Sequence, residues 1–129
     1  MTPTYTVHYA KELPEVRAAW EDPAWHAADT LTIAAFHPKS SDHRPEVQAR
    51  FLHDTRSLAA IYRVADRYLV CRHMQYQDEV CLDSCVEFFV RPKADKGYMN
   101  FEVNCGGAKL IQYREIAPDA GTPPRVEAL

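Results

Sequence analysis

The chain has 129 residues, of which 47% are hydrophobic and 26% are charged, and its formal net charge at pH 7 is -3. A chain of this size and composition supports one hydrophobic core, so we expect a single domain over residues 1–129. Lysine and arginine are scattered along the sequence. Without a basic cluster, neither nucleic acid nor an anionic membrane surface is an expected partner.

The sequence also lacks the features of membrane insertion. No segment approaches the run of about 20 apolar residues that crosses a bilayer, and "MTPTYTVHYA" lacks the basic and apolar regions of a secretory signal. The chain as written is therefore expected in the cytoplasm, or outside the cell if a signal has been removed.

Hydrophobic residues alternate with a period of two along most of the chain, which is typical of half-buried strands. One short helix is predicted over 13–20, with Pro14 in its first turn and Pro23 preventing its continuation. The segment 117–129 is rich in proline and is expected to be an exposed tail. These features predict an all-β fold, an antiparallel β-sandwich. The predicted strands are 4–9, 31–36, 47–54, 57–64, 67–73, 84–92 and 98–106.

The last two predicted strands, "SCVEFFVRP" and "YMNFEVNCG", form a hairpin in which Gly97 can adopt a positive φ. A register that pairs Glu87 with Asn104 and Phe89 with Glu102 separates polar from apolar side chains. Carboxylates and amides on one face suit a ligand with many hydroxyl groups, although a solvated outer face would look the same. The predicted polar face contains Glu87, Arg91, Asn100, Glu102 and Asn104.

Around these residues the sequence resembles the family 9 carbohydrate-binding modules and their relatives in the DOMON-like β-sandwich superfamily. The resemblance rests on "DSCVEFFV" and "YMNFEVNCGG", and it extends over 25–107. It implies a sandwich that binds a mono- or oligosaccharide between two tryptophans, with a glutamate, an arginine and an asparagine as hydrogen-bonding partners. In this sequence Trp25 resembles the first tryptophan, Glu87 the glutamate and Asn104 the asparagine, while Asn100 is a neighbouring amide.

Two positions differ from the family pattern. Cys81 replaces the second tryptophan, and Glu102 occupies the position expected for the arginine. Loss of one aromatic ring should weaken sugar binding or change the ligand, unless Phe89, Tyr76 or Tyr98 replaces it. The alternative function is therefore a structural or interaction domain that has lost sugar binding.

The resemblance also bears on the completeness of the fold. Family members continue beyond the second hairpin strand with further strands, which implies a sandwich incomplete at its C-terminus or a fragment. Exposed sheet edges would then favour a homo-oligomer.

Neither a catalytic nor a metal-binding residue is expected. Glu87 and Glu102 share a strand face without a cleft-forming loop, so we expect a binding module without enzymatic activity, although the resemblance implies attachment to a glycoside hydrolase. The cysteines and histidines match no paired zinc motif, and no cofactor is expected, with structural calcium left open. A haem-binding relative is disfavoured because His73 and Met74 are adjacent and would point to opposite faces of a strand.

Overall fold

The structure is a computed structural model that describes residues 3–117, 119, 123 and 125–129. Regular structure in these residues consists of strands and two short 3-10 turns, Pro23–Trp25 and Val80–Leu82. The strands are β1 (His8–Tyr9), β2 (Leu31–Thr32), β3 (Glu46–His53), β4 (Leu58–Ala65), β5 (Cys85–Val90), β6 (Tyr98–Asn104), β7 (Lys109–Arg114) and β8 (Val126–Ala128).

The predicted all-β class is confirmed, with two four-stranded sheets in the described residues. The chain divides into two compact units, one up to Arg67 and one from Tyr68 onward. The expectation of a single domain over residues 1–129 stays a prediction. No helix in the described part of the chain is long and apolar enough to cross a membrane.

The first unit is built around β3. This strand pairs antiparallel with β2 and with all of β4, and it pairs parallel with β1, so the sheet is not wholly antiparallel as predicted. Leu52 of β3 is fully buried and packs in one cluster with Ile61, Trp20 and Trp25. The guanidinium of Arg50 stacks on the Trp20 ring with its central carbon 4.2 Å from the ring centroid. Both tryptophans of the chain therefore belong to the core of this unit.

The helix predicted over 13–20 is wrong. The segment is irregular, and short-range backbone bonds from Arg17 to Glu15 and from Ala19 to Arg17 replace a helical pattern. Val16 in its middle is fully exposed. Eight residues are too few to hold an isolated helix in water unless one face is well buried, and here only the ends contact the core.

The second unit contains β5, β6, β7 and β8 in sequential antiparallel order. The loop between β5 and β6 ends at Gly97, where an added Cβ would lie 1.9 Å from the carbonyl oxygen of Arg114. Close backbone approach, rather than the predicted positive φ, therefore requires this glycine. β7 and β8 were not predicted, and Val126–Ala128, within the predicted tail, forms a strand paired with β7.

The strand predicted over 67–73 is also wrong, because side chains bind its backbone. The amide of Val70 donates to the Ser84 hydroxyl at 3.0 Å, and the amides of Arg72 and His73 donate to one carboxylate oxygen of Asp83 at 3.0 and 2.9 Å. These bonds satisfy the backbone without a neighbouring strand.

Candidate functional site

The face predicted for the β5–β6 hairpin is confirmed, but the predicted register is wrong by two residues. Glu87 pairs with Glu102 and Phe89 with Asn100. A shift of two leaves every side chain on its predicted side, because side chains alternate with a period of two. We call the side of the second sheet that carries Glu87, Phe89, Asn100, Glu102 and Asn104 the polar face.

Two carboxylates therefore lie directly opposite each other on this face. Glu87 is exposed, whereas Glu102 is only 5% exposed. One carboxylate oxygen of Glu102 accepts a 2.6 Å hydrogen bond from the side-chain amide of Asn100. The second oxygen, Oε2, is buried without a hydrogen-bond partner, as is Oδ1 of Asn100. Two buried acceptors are thus left without a donor, which is costly in a folded protein.

The electrostatics of the polar face favour groups that donate hydrogen bonds. Partial burial, and then the charge of Glu102, raise the pKa of Glu87 above its ordinary value. Burial, followed by the charges of Glu87 and Glu102, raises the pKa of Cys85 to about 11. Glu87 and Glu102 disfavour each other's ionised form, because their charges are alike. A hydrogen-bond donor of a ligand placed between the two carboxylates would be stabilised by both of them.

An aromatic surface adjoins the acidic pair. Phe89 is 54% exposed, and its ring lies 5.9 Å from the ring of Tyr98, measured between centroids. Together with Val90 and Arg91, these two rings line a shallow depression. The depression combines apolar ring surface with the Arg91 guanidinium, and Glu87 is two residues away on the same strand face.

Asn104 has a different environment, although it belongs to the same strand. Its amide nitrogen donates to the His73 carbonyl at 2.6 Å and to Asp83 Oδ2 at 2.9 Å. Its oxygen accepts from the amides of Gly106 and Ala108 at 3.1 and 2.9 Å. Every polar atom of this side chain is therefore used within the chain.

Asp83 is the carboxylate that organises this end of the strand, and sequence reasoning gave it no role. Its side chain is 0% exposed. Desolvation opposes its ionisation, but hydrogen bonds from the His73 amide, Asn104, the Arg72 amide and the His73 ring together lower its pKa to about 2. The "DS" of the sequence signature thus contacts its "N" directly. The available sequence signal for this contact was the position of the two residues: Asp83 directly precedes one predicted hairpin strand, and Asn104 lies near the end of the other.

Trp25 is a buried residue of the first unit in the structure. It ends the first 3-10 turn, belongs to the first unit and is 3% exposed. Its ring packs with Trp20, Leu52 and Ile61. The role predicted for Trp25 in stacking against sugar stays a prediction. On the second sheet, the exposed ring of Phe89 and the partly buried ring of Tyr98 line the shallow depression.

No group of three or more histidine, cysteine, aspartate or glutamate side chains in the described residues is arranged to hold a metal ion. The expected absence of a cofactor stays a prediction, and structural calcium stays open.

Comparison with known families identifies the class of protein. Residues 24–120, most of the chain, match Carbohydrate-binding family 9. The protein is therefore a carbohydrate-binding protein, and it belongs to Carbohydrate-binding family 9. Searches of curated proteins and of solved structures found no match.

Proposed function

We propose that the chain binds a neutral mono- or oligosaccharide on the polar face of its second sheet, without cleaving it. The single observation that carries this proposal is the pair of unpartnered buried acceptors, Asn100 Oδ1 and Glu102 Oε2, on the face that also carries the exposed side chains of Glu87 and Phe89. Sugar hydroxyl groups donate hydrogen bonds, and the apolar face of a sugar ring packs on aromatic carbon.

Each side chain has a distinct part in this proposal. Glu87 accepts hydrogen bonds from sugar hydroxyl groups, and Arg91 donates to sugar oxygens. Phe89 and Tyr98 replace Trp25 as the apolar surface, which is supported by the exposure of Phe89 and by the depression that both rings line.

The buried pair supports this outer layer. Asn100 and Glu102 hold each other through their 2.6 Å hydrogen bond and direct negative charge toward Glu87. A ligand donor that reaches their free acceptors would remove the cost of leaving them unpaired. Asn104, also predicted to bind sugar, is instead proposed to be structural, because all its hydrogen bonds are made within the chain.

Binding without hydrolysis is supported by the placement of the carboxylates. Glycosidases position two carboxyl groups on either side of a scissile bond. Here Glu87 and Glu102 are paired neighbours on one sheet face, and the adjoining depression is shallow. A partner catalytic domain would supply any cleavage, in line with the predicted association with a glycoside hydrolase.

The second candidate function is a structural domain that has lost sugar binding. The burial of Trp25 favours it. In that case, the polar face would bind no member of a sugar panel.

Calorimetric titration separates the two candidates. The panel would be glucose, galactose, mannose, xylose, cellobiose, maltose and lactose. We expect binding of at least one sugar, weakened about 10-fold by Phe89→Ala and several-fold by Glu87→Gln, because each removes a contact worth about 1 kcal/mol.

The matched control is Phe36→Ala, which removes an exposed phenylalanine of the first unit and should leave affinity unchanged. Absence of binding to the whole panel, or equal losses in Phe36→Ala and Phe89→Ala, would reject the proposed site.

A further inference from the structure

Three sulfur atoms come together at the end of the second unit that is held by Asp83. Cys71 and Met74 lie in the loop between β4 and β5, and Cys105 directly follows β6. The Cys71 Sγ atom is 3.5 Å from the Met74 Sδ atom, and the Cys105 Sγ atom is 3.5 Å from the carbonyl oxygen of Val70, the residue before Cys71. All three residues are exposed, so a small ion can reach them.

The backbone around this sulfur cluster is held in place. The Val70 carbonyl accepts from the Ser84 amide, and the Ser84 carbonyl accepts from the Cys105 amide, both at 2.8 Å. The Asp83 carboxylate fixes the amides of Arg72 and His73, which lie between Cys71 and Met74. The backbone that carries Cys71, Met74 and Cys105 is therefore held by hydrogen bonds rather than left as a free loop.

Gly106 shows how closely the sulfur atoms approach the main chain. A Cβ atom at this position would lie 2.5 Å from Cys71 Sγ and 3.2 Å from Met74 Sδ. Any other residue would displace the sulfur atoms from this arrangement.

The charges at the cluster favour a cation. Removal from water, then the hydrogen bond and charge of Cys105, and then the charge of Asp83 raise the pKa of the Cys71 thiol. A bound cation would oppose the negative charges of Asp83 and of a Cys105 thiolate, and would so favour the ionised form of the thiols that bind it.

We propose that Cys71, Met74 and Cys105 bind one Cu(I) ion through two thiolates and one thioether. Thiolate and thioether sulfur are the soft ligands that select Cu(I), whereas zinc sites use four nitrogen, thiolate or carboxylate ligands. Two thiol protons are released to solvent when the two Cu–thiolate bonds form, the thioether binds without losing a proton, and no electron is transferred. The 33 residues between Cys71 and Cys105, counted from the sequence, hide this site from any short-spacing motif.

The test is competition for Cu(I) against a chromophoric chelator, under anaerobic conditions with a reductant. We expect one tightly held Cu(I) per chain, with affinity rising with pH because protons are released. The double variant Cys71→Ser/Cys105→Ser should lose about 100-fold in affinity and Met74→Leu about 10-fold, as expected for lost soft ligands.

Matched controls use the other thiols and another methionine. Cys81→Ser/Cys85→Ser and Met99→Leu should each retain the full affinity. If the Cys71/Cys105 double variant fails to fold, as judged by circular dichroism, the pair Met74→Leu and Met99→Leu decides the question.

Three results would overturn the proposal. They are wild-type failure to compete for Cu(I), unchanged affinity in Met74→Leu, and loss of affinity in Cys81→Ser/Cys85→Ser instead. Sugar titration of the same samples is independent of these results, because the sulfur cluster and the depression share no residue.

Discussion

The two ends of the polar side of β6 differ in how their hydrogen bonds are satisfied. At one end Asn104 makes four hydrogen bonds within the chain. At the other, Asn100 and Glu102 bind each other and leave one buried oxygen each without a partner. Buried polar groups in stable structures are nearly always paired, so the first end is built for stability, and we propose that the second is arranged for a ligand.

The largest expected effect tests the stable end. Asn104→Ala removes both hydrogen-bonded atoms and leaves the Ala108 amide and the His73 carbonyl without this partner. We expect the free energy of unfolding in urea to fall by about 3 kcal/mol.

The comparison variant is Asn100→Ala, which breaks one hydrogen bond and also removes an unpartnered oxygen, so it should cost about 1 kcal/mol. Equal losses in the two variants would remove the distinction between the ends.

Acid provides the second test of the stable end. The pKa of Asp83 is about 2 in the folded chain and lies near 3.9 in unfolded peptides. The stability that it contributes is therefore fully present above the unfolded value and is lost as pH falls through the folded value. Urea denaturation between pH 5 and pH 2 should show this loss. Asp83→Asn should reduce the slope. A slope unchanged in Asp83→Asn would assign the acid sensitivity to Asp22 and Asp54, whose pKa values are also lowered.

At the ligand-binding end, we expect stability and affinity to move in opposite directions. Glu102→Gln removes a buried charge with an unpartnered oxygen and should raise the free energy of unfolding by about 1 kcal/mol. The same change should weaken sugar binding several-fold, because a strong acceptor is lost. Parallel losses of stability and affinity would instead make Glu102 a structural residue.

The smallest effect concerns Glu87. Its pKa is raised in the folded chain, so its ionised form costs stability above the folded value and costs nothing below the unfolded value. Glu87→Gln should therefore stabilise the protein at pH 7, by less than about 1 kcal/mol because the side chain is exposed to solvent. The gain should vanish near pH 4, as measured by urea denaturation at both pH values. A gain that persists at pH 4 would have another origin.

The sequence predicted those features that depend on period and composition. The all-β class and the common face of Glu87, Asn100 and Glu102 follow from alternation, which any even shift of register preserves. Alternation does not determine the register itself, because pairings that differ by two residues place the same side chains on the same face. The loop around Cys71 was predicted as a strand from its apolar pattern. In the structure its backbone is bound instead by the side chains of Asp83 and Ser84, which the pattern of the segment itself does not reveal.

The chemistry of individual polar residues was harder to predict for the same reason. Asn100 and Asn104 are identical in type and two positions apart on one face, yet only the fold shows which of them is fully hydrogen-bonded. Burial of Trp25 likewise depends on Leu52 and Ile61, which come from later strands.

The most direct test of the central claim maps the ligand by NMR, using the panel sugar with the highest affinity. The account predicts that the amide signals of Glu87, Phe89 and Tyr98 shift on titration, and that the indole N–H signal of Trp25 does not. Shifts at the Trp25 indole, with the signals of β5 and β6 unmoved, would contradict it.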